Sequence, residues 1–155
     1  MSALLVPVRN RSFLRCVPLL AWLLLPGVLA PRDAEAGPSA AEQAAIEVVD
    51  RFIAAWDDPD AAVALLAPEA SVRMVEDQPP IVGRAAIGDA MKGFMKPGVS
   101  LTVETVATTV YGPIVVNRRI DTMKTEGEAE QVFPVVGVFL VKDGLIAEWT
   151  DYLDR

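Results

Sequence analysis

The chain has 155 residues, a formal net charge of −7, 52% hydrophobic residues, no histidine and one cysteine. With no His, and no Cys left once an N-terminal segment holding Cys16 is removed, it excludes zinc-type sites, Ser-His-Asp triads and cysteine nucleophiles. An acidic chain with no basic patch is also a poor nucleic-acid binder. Any chemistry must use carboxylates, Arg, Lys, Tyr or a bound ion.

The N-terminal stretch reads as a targeting segment. Arg9, Arg11 and Arg15 form a basic region, Val17 to Ala30 is almost wholly apolar, and Ala34-Glu35-Ala36 is a small-x-small cleavage site before Gly37. That order is the layout of a secretory signal peptide. The apolar run is broken by Pro18, Pro26 and Gly27, and is shorter than the roughly 20 residues of a membrane span. An uncleaved anchor or a misplaced start codon are the alternatives. Cleavage predicts an exported (periplasmic or secreted) domain of residues 37–155, with no stable membrane association. It would remove Cys16, so no disulfide can form, and leave the remainder more acidic. Four of the 14 basic residues lie in that segment, but only two of the 21 acidic ones.

Ser39-Ala40-Ala41-Glu42 is a capping-box pattern, and Ile46, Val49, Phe52, Ile53 and Trp56 follow at helical spacing. Asp57-Asp58-Pro59-Asp60 ends that helix and opens a second, expected from Ala61 to Ala67 before Pro68. Ser71 to Val75 reads as a strand, Gln78-Pro79-Pro80 as a loop, and Arg84 to Met95 as a third helix with Ile87, Met91, Phe94 and Met95 inward, ended by Pro97-Gly98.

Four strand-like runs follow: Leu101–Val110, Ile114–Met123, Gln131–Val141 and Leu145–Tyr152. Lys142-Asp143-Gly144 is a tight-hairpin signal between the last two. Val132 to Val141 is apolar on both faces, which suits a central strand covered twice, while Pro134 argues for a bulge or an edge near its start. Helices first and an antiparallel meander afterwards predict an α+β fold: a curved, antiparallel-rich sheet with about three helices packed on one side.

Two strands carry the candidate site. Side chains alternate along a strand, so Asn117, Arg119 and Asp121 share one face of the second run, and Trp149 and Asp151 share one face of the last. Each face is either solvated or turned into a pocket. If the two converge in an apolar pocket, they form an Asp-Arg-Asp cluster suited to acid–base chemistry. Two carboxylates and one guanidinium holding a single proton are electrically neutral, which an apolar surround tolerates. Trp149, Phe139, Met74 and Met91 are core residues, ligand contacts or both. Tyr152, of opposite parity to Asp151, belongs outside the pocket.

The element order resembles the NTF2-like (SnoaL-like) cone fold. Three stretches resemble the limonene-1,2-epoxide hydrolase family: Gln78-Pro79-Pro80-Ile81-Val82-Gly83-Arg84, Asn117-Arg118-Arg119-Ile120-Asp121, and Gly137-Val138-Phe139 leading through Asp143-Gly144-Leu145-Ile146 to Trp149-Thr150-Asp151-Tyr152-Leu153-Asp154. The resemblance implies epoxide hydrolysis without a cofactor or metal. By it, Asp151 is the base that deprotonates water, Asp121 the acid that protonates the epoxide oxygen, and Arg119 the bridge between them. It also implies a small apolar epoxide as ligand and a homodimer, the doubly apolar Val132–Val141 run seeking a partner. Asn117, Trp149, Met74 and Phe139 are then the substrate-binding candidates. The family holds its water with a Tyr and an Asn on the first strand, where this chain has Val72 and Met74, or Arg73 and Val75. A ketosteroid-isomerase or SnoaL-type isomerase or cyclase, and a non-catalytic binding or dimerisation module, are the rival readings.

Overall fold

The computed structural model describes residues 37–153, so the expected signal segment, residues 1–36, lies outside the described residues. Three helices precede most of a six-stranded sheet. They are α1 (Ala40–Ala54), α2 (Pro59–Ala64) and α3 (Arg84–Phe94). The strands are β1 (Leu66–Arg73), β2 (Ile81–Val82), β3 (Val99–Tyr111), β4 (Ile114–Thr125), β5 (Gln131–Lys142) and β6 (Leu145–Leu153). Their order across the sheet is β2-β1-β6-β5-β4-β3, antiparallel except where β1 runs parallel to β6. The sheet curves without closing, with helices on one side, as expected of an NTF2-like α+β cone.

The capping box that opens α1 is present. Glu42 N–H donates to Ser39 Oγ at 3.3 Å, and Ser39 N–H donates to Glu42 Oε2 at 2.8 Å. The other oxygen of Glu42 accepts from Gly112 N–H at 2.9 Å, tying the helix to the β3–β4 turn. The apolar stripe of α1 then faces the concave side of the sheet. Val49 and Phe52 are fully buried, and Phe52 meets Trp149 edge-on at 5.3 Å and Phe139 at 6.2 Å. Burying a side chain of this size contributes roughly 1.5–3 kcal/mol. Around it forms the core that fixes α1 over β5 and β6.

Two expectations are corrected. The second helix does not reach Ala67: α2 stops at Ala64, and Leu66 to Pro68 already belong to β1. Ala67 precedes a proline, which disfavours the helical region for it. Leu66 pairs with Ile146, and both are fully buried, so burial overrides alanine's helix propensity. The doubly apolar run is central, between β4 and β6, but only one of its faces is covered within a single chain. Val135, Gly137, Phe139 and Val141 are buried, whereas Val132 is 56% exposed and Val136, Val138 and Leu140 are only part-buried. Pro134 sits where β5 pairs with β4 alone, since pairing with β6 begins at Val135 opposite Leu153. The β5–β6 hairpin turns through Asp143 and Gly144, with φ of 51° and 73°, the left-handed pair that a tight two-residue turn demands.

Candidate active site

Among the described residues, the buried polar or charged side chains are four: Asn117, Arg119, Asp121 and Asp151. Ion pairs are rarely buried unless something holds them, and here all four lie together on the concave face. The period of β4 turns Asn117, Arg119 and Asp121 inward, and the period of β6 turns Trp149 and Asp151 inward. β5 lies between, and its Gly137 is the register partner of Asn117 on one side and Asp151 on the other. A glycine at that point leaves a bare strip of backbone over which the arginine side chain crosses from β4 to β6.

Arg119 joins the two carboxylates. Its Nε donates to Asp121 at 2.9 Å (Oδ1) and 3.1 Å (Oδ2), and its Nη2 donates to Asp151 Oδ2 at 2.5 Å. The remaining oxygen of Asp151 accepts the Trp149 indole N–H at 2.6 Å. Trp56, just beyond α1, lays its ring over the guanidinium with its centroid 5.1 Å from Cζ. Trp56 in turn meets Trp149 at 5.2 Å, and Phe139 stacks on the far side of Trp149 at 6.0 Å. Aromatic rings therefore cover the guanidinium on the Trp56 side, while the carboxylates reach the cavity.

Electrostatics set a contest at each acid. Burial pushes both Asp121 and Asp151 above the ordinary carboxylate value, while the Arg119 charge and its hydrogen bonds pull down without winning. Asp151 is pulled down further by the Trp149 hydrogen bond and pushed up by the Asp121 charge. At Arg119 burial favours loss of the proton, but the two carboxylates outweigh it and keep the guanidinium charged. Buried acids raised in this way favour holding a proton between them, and their titration belongs to the pair.

The carboxylates open onto a cavity of about 330 Å³. Asp121 and Asp151 form its polar end, and the remaining wall is hydrocarbon, thioether and indole. All four methionines beyond Met1 line it: Met74, Met91, Met95 and Met123. The end of α3 supplies Met91, Phe94 and Met95 to one wall, and β5 and β6 supply Phe133, Val135 and Leu153 to another. Of the substrate-contact candidates, Trp149 and Met74 line the cavity. Asn117 and Phe139 do not. Asn117 lies behind Arg119 with its Nδ2 on Thr105 and Thr108, and Phe139 supports Trp149 from beneath. Nothing in the sequence marks Trp56 or Gly137 as site residues. Trp56 is one more apolar residue at helical spacing, and a glycine within a strand carries no sign of what crosses it.

The pairing of β1 with β6 also decides which of its residues face the acids. Val72 is the register partner of Trp149 and Arg73 that of Thr150, so Val72 shares the inward face of Trp149. Val72 is fully buried and does not line the cavity, whereas Met74 and Val75 do. No polar side chain from β1 reaches the carboxylates.

The SnoaL-like domain family matches residues 49–149. The chain belongs to that family. Among solved structures, an LEH-like epoxide hydrolase of M. tuberculosis is 28% identical, with a TM-score of 0.66 over 73% of this chain and 84% of that one. A proposed polyketide cyclase of Xanthomonas campestris pv. campestris is 23% identical, with a TM-score of 0.64 over 74% of this chain and 93% of that one. A hypothetical protein from Catenulispora acidiphila with a ketosteroid-isomerase-like fold, solved with trimethylamine, is 18% identical at a TM-score of 0.61, over 68% of this chain and 84% of that one. The last two likenesses bear on the fold alone. No sufficiently similar sequence is found among curated proteins. The chain is thus a SnoaL-like, NTF2-like domain whose structural neighbours include enzymes.

Proposed function

We propose that this SnoaL-like domain is an epoxide hydrolase that adds water to a small apolar epoxide in one step, without a cofactor. The observation that carries the reading is the Asp121–Arg119–Asp151 relay at the polar end of an otherwise apolar cavity. The order of the residues, their roles by resemblance and the likeness to an LEH-like epoxide hydrolase support it.

The chemistry follows from a single shared proton. Asp151, ionised, takes a proton from water as its oxygen attacks a ring carbon. The ring C–O bond breaks as the new C–O bond forms, and its electron pair goes to the ring oxygen. Asp121 gives that oxygen its proton, so the product is a diol and no enzyme–substrate bond forms. The proton now sits on Asp151 instead of Asp121, and transfer between them across Arg119 resets the pair. Acid or base assistance of this kind contributes about 10²–10⁴-fold per group. Arg119 stays charged throughout and holds the two acids in register.

The wall bounds the substrate class. Methionine is flexible and polarisable, and fills irregular space well. Four of them around a cavity of about 330 Å³ suit a small, compact hydrocarbon skeleton bearing the epoxide, with some tolerance of shape. One observation favours a second reading on the same machinery. With Val72, Met74 and Val75 where a water-holding polar side chain would stand, a hydroxyl carried by the substrate could replace water, making the reaction a cyclisation.

Incubation of the purified domain with a panel of small epoxides in ¹⁸O-water tests both. Hydrolysis places one labelled oxygen in the diol in a single turnover and none in the protein. Unlabelled cyclic ether from a hydroxy-epoxide supports cyclisation. Label recovered in Asp121 or Asp151 would show a covalent ester route and reject the one-step mechanism.

A further inference from the structure

A guanidinium offers three nitrogens, and the two carboxylates engage two of those of Arg119. Nε faces Asp121 and Nη2 faces Asp151, while Nη1 is buried without a partner among the described residues. Two further buried atoms are unpartnered among the described residues: Oδ1 of Asn117, on the same strand face two residues earlier, and Nε1 of Trp56. Nη1 and Nε1 are donors, and Oδ1 is the one acceptor of the three.

Two local devices fix where Nη1 and Oδ1 lie. The first is Gly137, beside Asn117 on the neighbouring strand. A methyl group there would lie 2.5 Å from Arg119 Nη1, 2.7 Å from the Phe139 ring and 3.1 Å from Asp151 Oδ1. The Nη1 edge therefore occupies space that any other residue would fill, next to Asn117. The second is a bulge in β3 between Thr105 and Ala107. On a regular strand, residues three apart point to opposite faces. The extra residue, Val106, lets Thr105 and Thr108 both turn to the Asn117 side. Their hydroxyls accept from Asn117 Nδ2 at 3.5 Å and 3.2 Å. With the amide nitrogen held there, the oxygen is left for the guanidinium. The reverse orientation would set an amide N–H against a guanidinium N–H, donor against donor.

We infer that Asn117 is a positioning residue for Arg119. Its Oδ1, anchored through Nδ2 by the threonine pair of the bulged β3, takes the third edge of the guanidinium through one bridging water, over the bare backbone of Gly137. Asn117 lies outside the cavity wall and acts through Arg119. A planar fork held at three edges cannot swivel, so it keeps both carboxylates engaged while a proton passes between them. Asp121 and Asp151 are the charged groups that face it, and Trp56, neutral, covers it from α1. The kinetic consequence rests on the epoxide-opening reading, whereas the positioning itself does not.

The test compares Asn117→Leu, and separately Thr105→Val with Thr108→Val, against the unaltered protein. Carboxyl ¹³C resonances of Asp121 and Asp151 are titrated by NMR, which needs no substrate, alongside the thermal midpoint and kcat and KM on an epoxide. Arg119 lowers the pKa of both acids, so a loosened guanidinium moves both titrations to higher pH. In Asn117→Leu, kcat should fall about tenfold or more with KM little changed. The threonine pair should give the same direction with a smaller effect. Carboxyl titrations that stay in place in folded Asn117→Leu overturn the inference. If that variant does not fold, unmoved titrations in the threonine pair overturn it instead. Moved titrations in a protein that opens no epoxide support the positioning and remove the epoxide reading alone.

Discussion

Trp149 donates its indole N–H to Asp151 Oδ1 at 2.6 Å, two residues along the same strand and on the same face. With the other oxygen on Arg119, both oxygens of Asp151 are engaged before any substrate arrives. Trp149→Phe keeps most of the ring and removes this donor, whose effect is to lower the pKa of Asp151. The acid limb of kcat against pH should therefore move to higher pH, and kcat should fall by about tenfold. An unmoved limb in the folded variant would refute this role for Trp149.

Under the proposed mechanism, the same pH profile in the unaltered protein should be bell-shaped. Asp151 must be ionised to act as base, and burial holds its pKa above the ordinary carboxylate value, as it does that of Asp121. Activity is then lost on the acid side at a higher pH than an exposed Asp would produce. On the alkaline side it is lost as the shared proton leaves. A rate that is level from pH 4 to 9 would contradict a one-proton pair.

Asp121→Asn and Asp151→Asn each remove a proton-transfer group with little change of shape. Each should lower kcat by on the order of 10²-fold or more. The double variant should lose far less than the product of the two, because the acids act as a unit. Kinetics of the three variants on one epoxide check this, and full activity in Asp151→Asn would sink the assignment.

Arg119→Lys tests the fork. A lysine ammonium is a point charge and cannot hold two carboxylates as a planar guanidinium does. The variant should lose activity by about tenfold or more. It should also be less stable, because a buried pair broken at one partner typically costs about 3–5 kcal/mol. Denaturant unfolding and kinetics together check both effects.

We propose that two copies pair through the outer face of β5, where Val132 is exposed and Val136, Val138 and Leu140 are only part-buried. Light scattering at micromolar concentration should give twice the mass of one chain, and Val138→Lys should return it to one. A monomeric profile in the unaltered protein at all dilutions would reject the pairing.

Much of the fold and the parity of the site can be read from residues alone, because both follow from local periods. A capping box and a 3.6-residue stripe identify α1, and a two-residue alternation puts Asn117, Arg119 and Asp121 on one face and Trp149 and Asp151 on another. Carboxylates, Arg, Lys, Tyr or a bound ion are the chemistry left once His and an available Cys are excluded. Which way each face turned was not local. Arg119 is buried because α1 brings Phe52 and Trp56 over the sheet, and it reaches Asp151 because Gly137, 18 positions later in sequence, has no side chain to block it. The helix expected at Leu66 became a strand because Ile146 offered it a buried partner, a contact between residues far apart in the chain. The same parallel pairing turned Val72, not a polar residue, to the inward face beside Trp149. Periodicity fixes which side chains point together, but only the packing of distant strands decides what they point at.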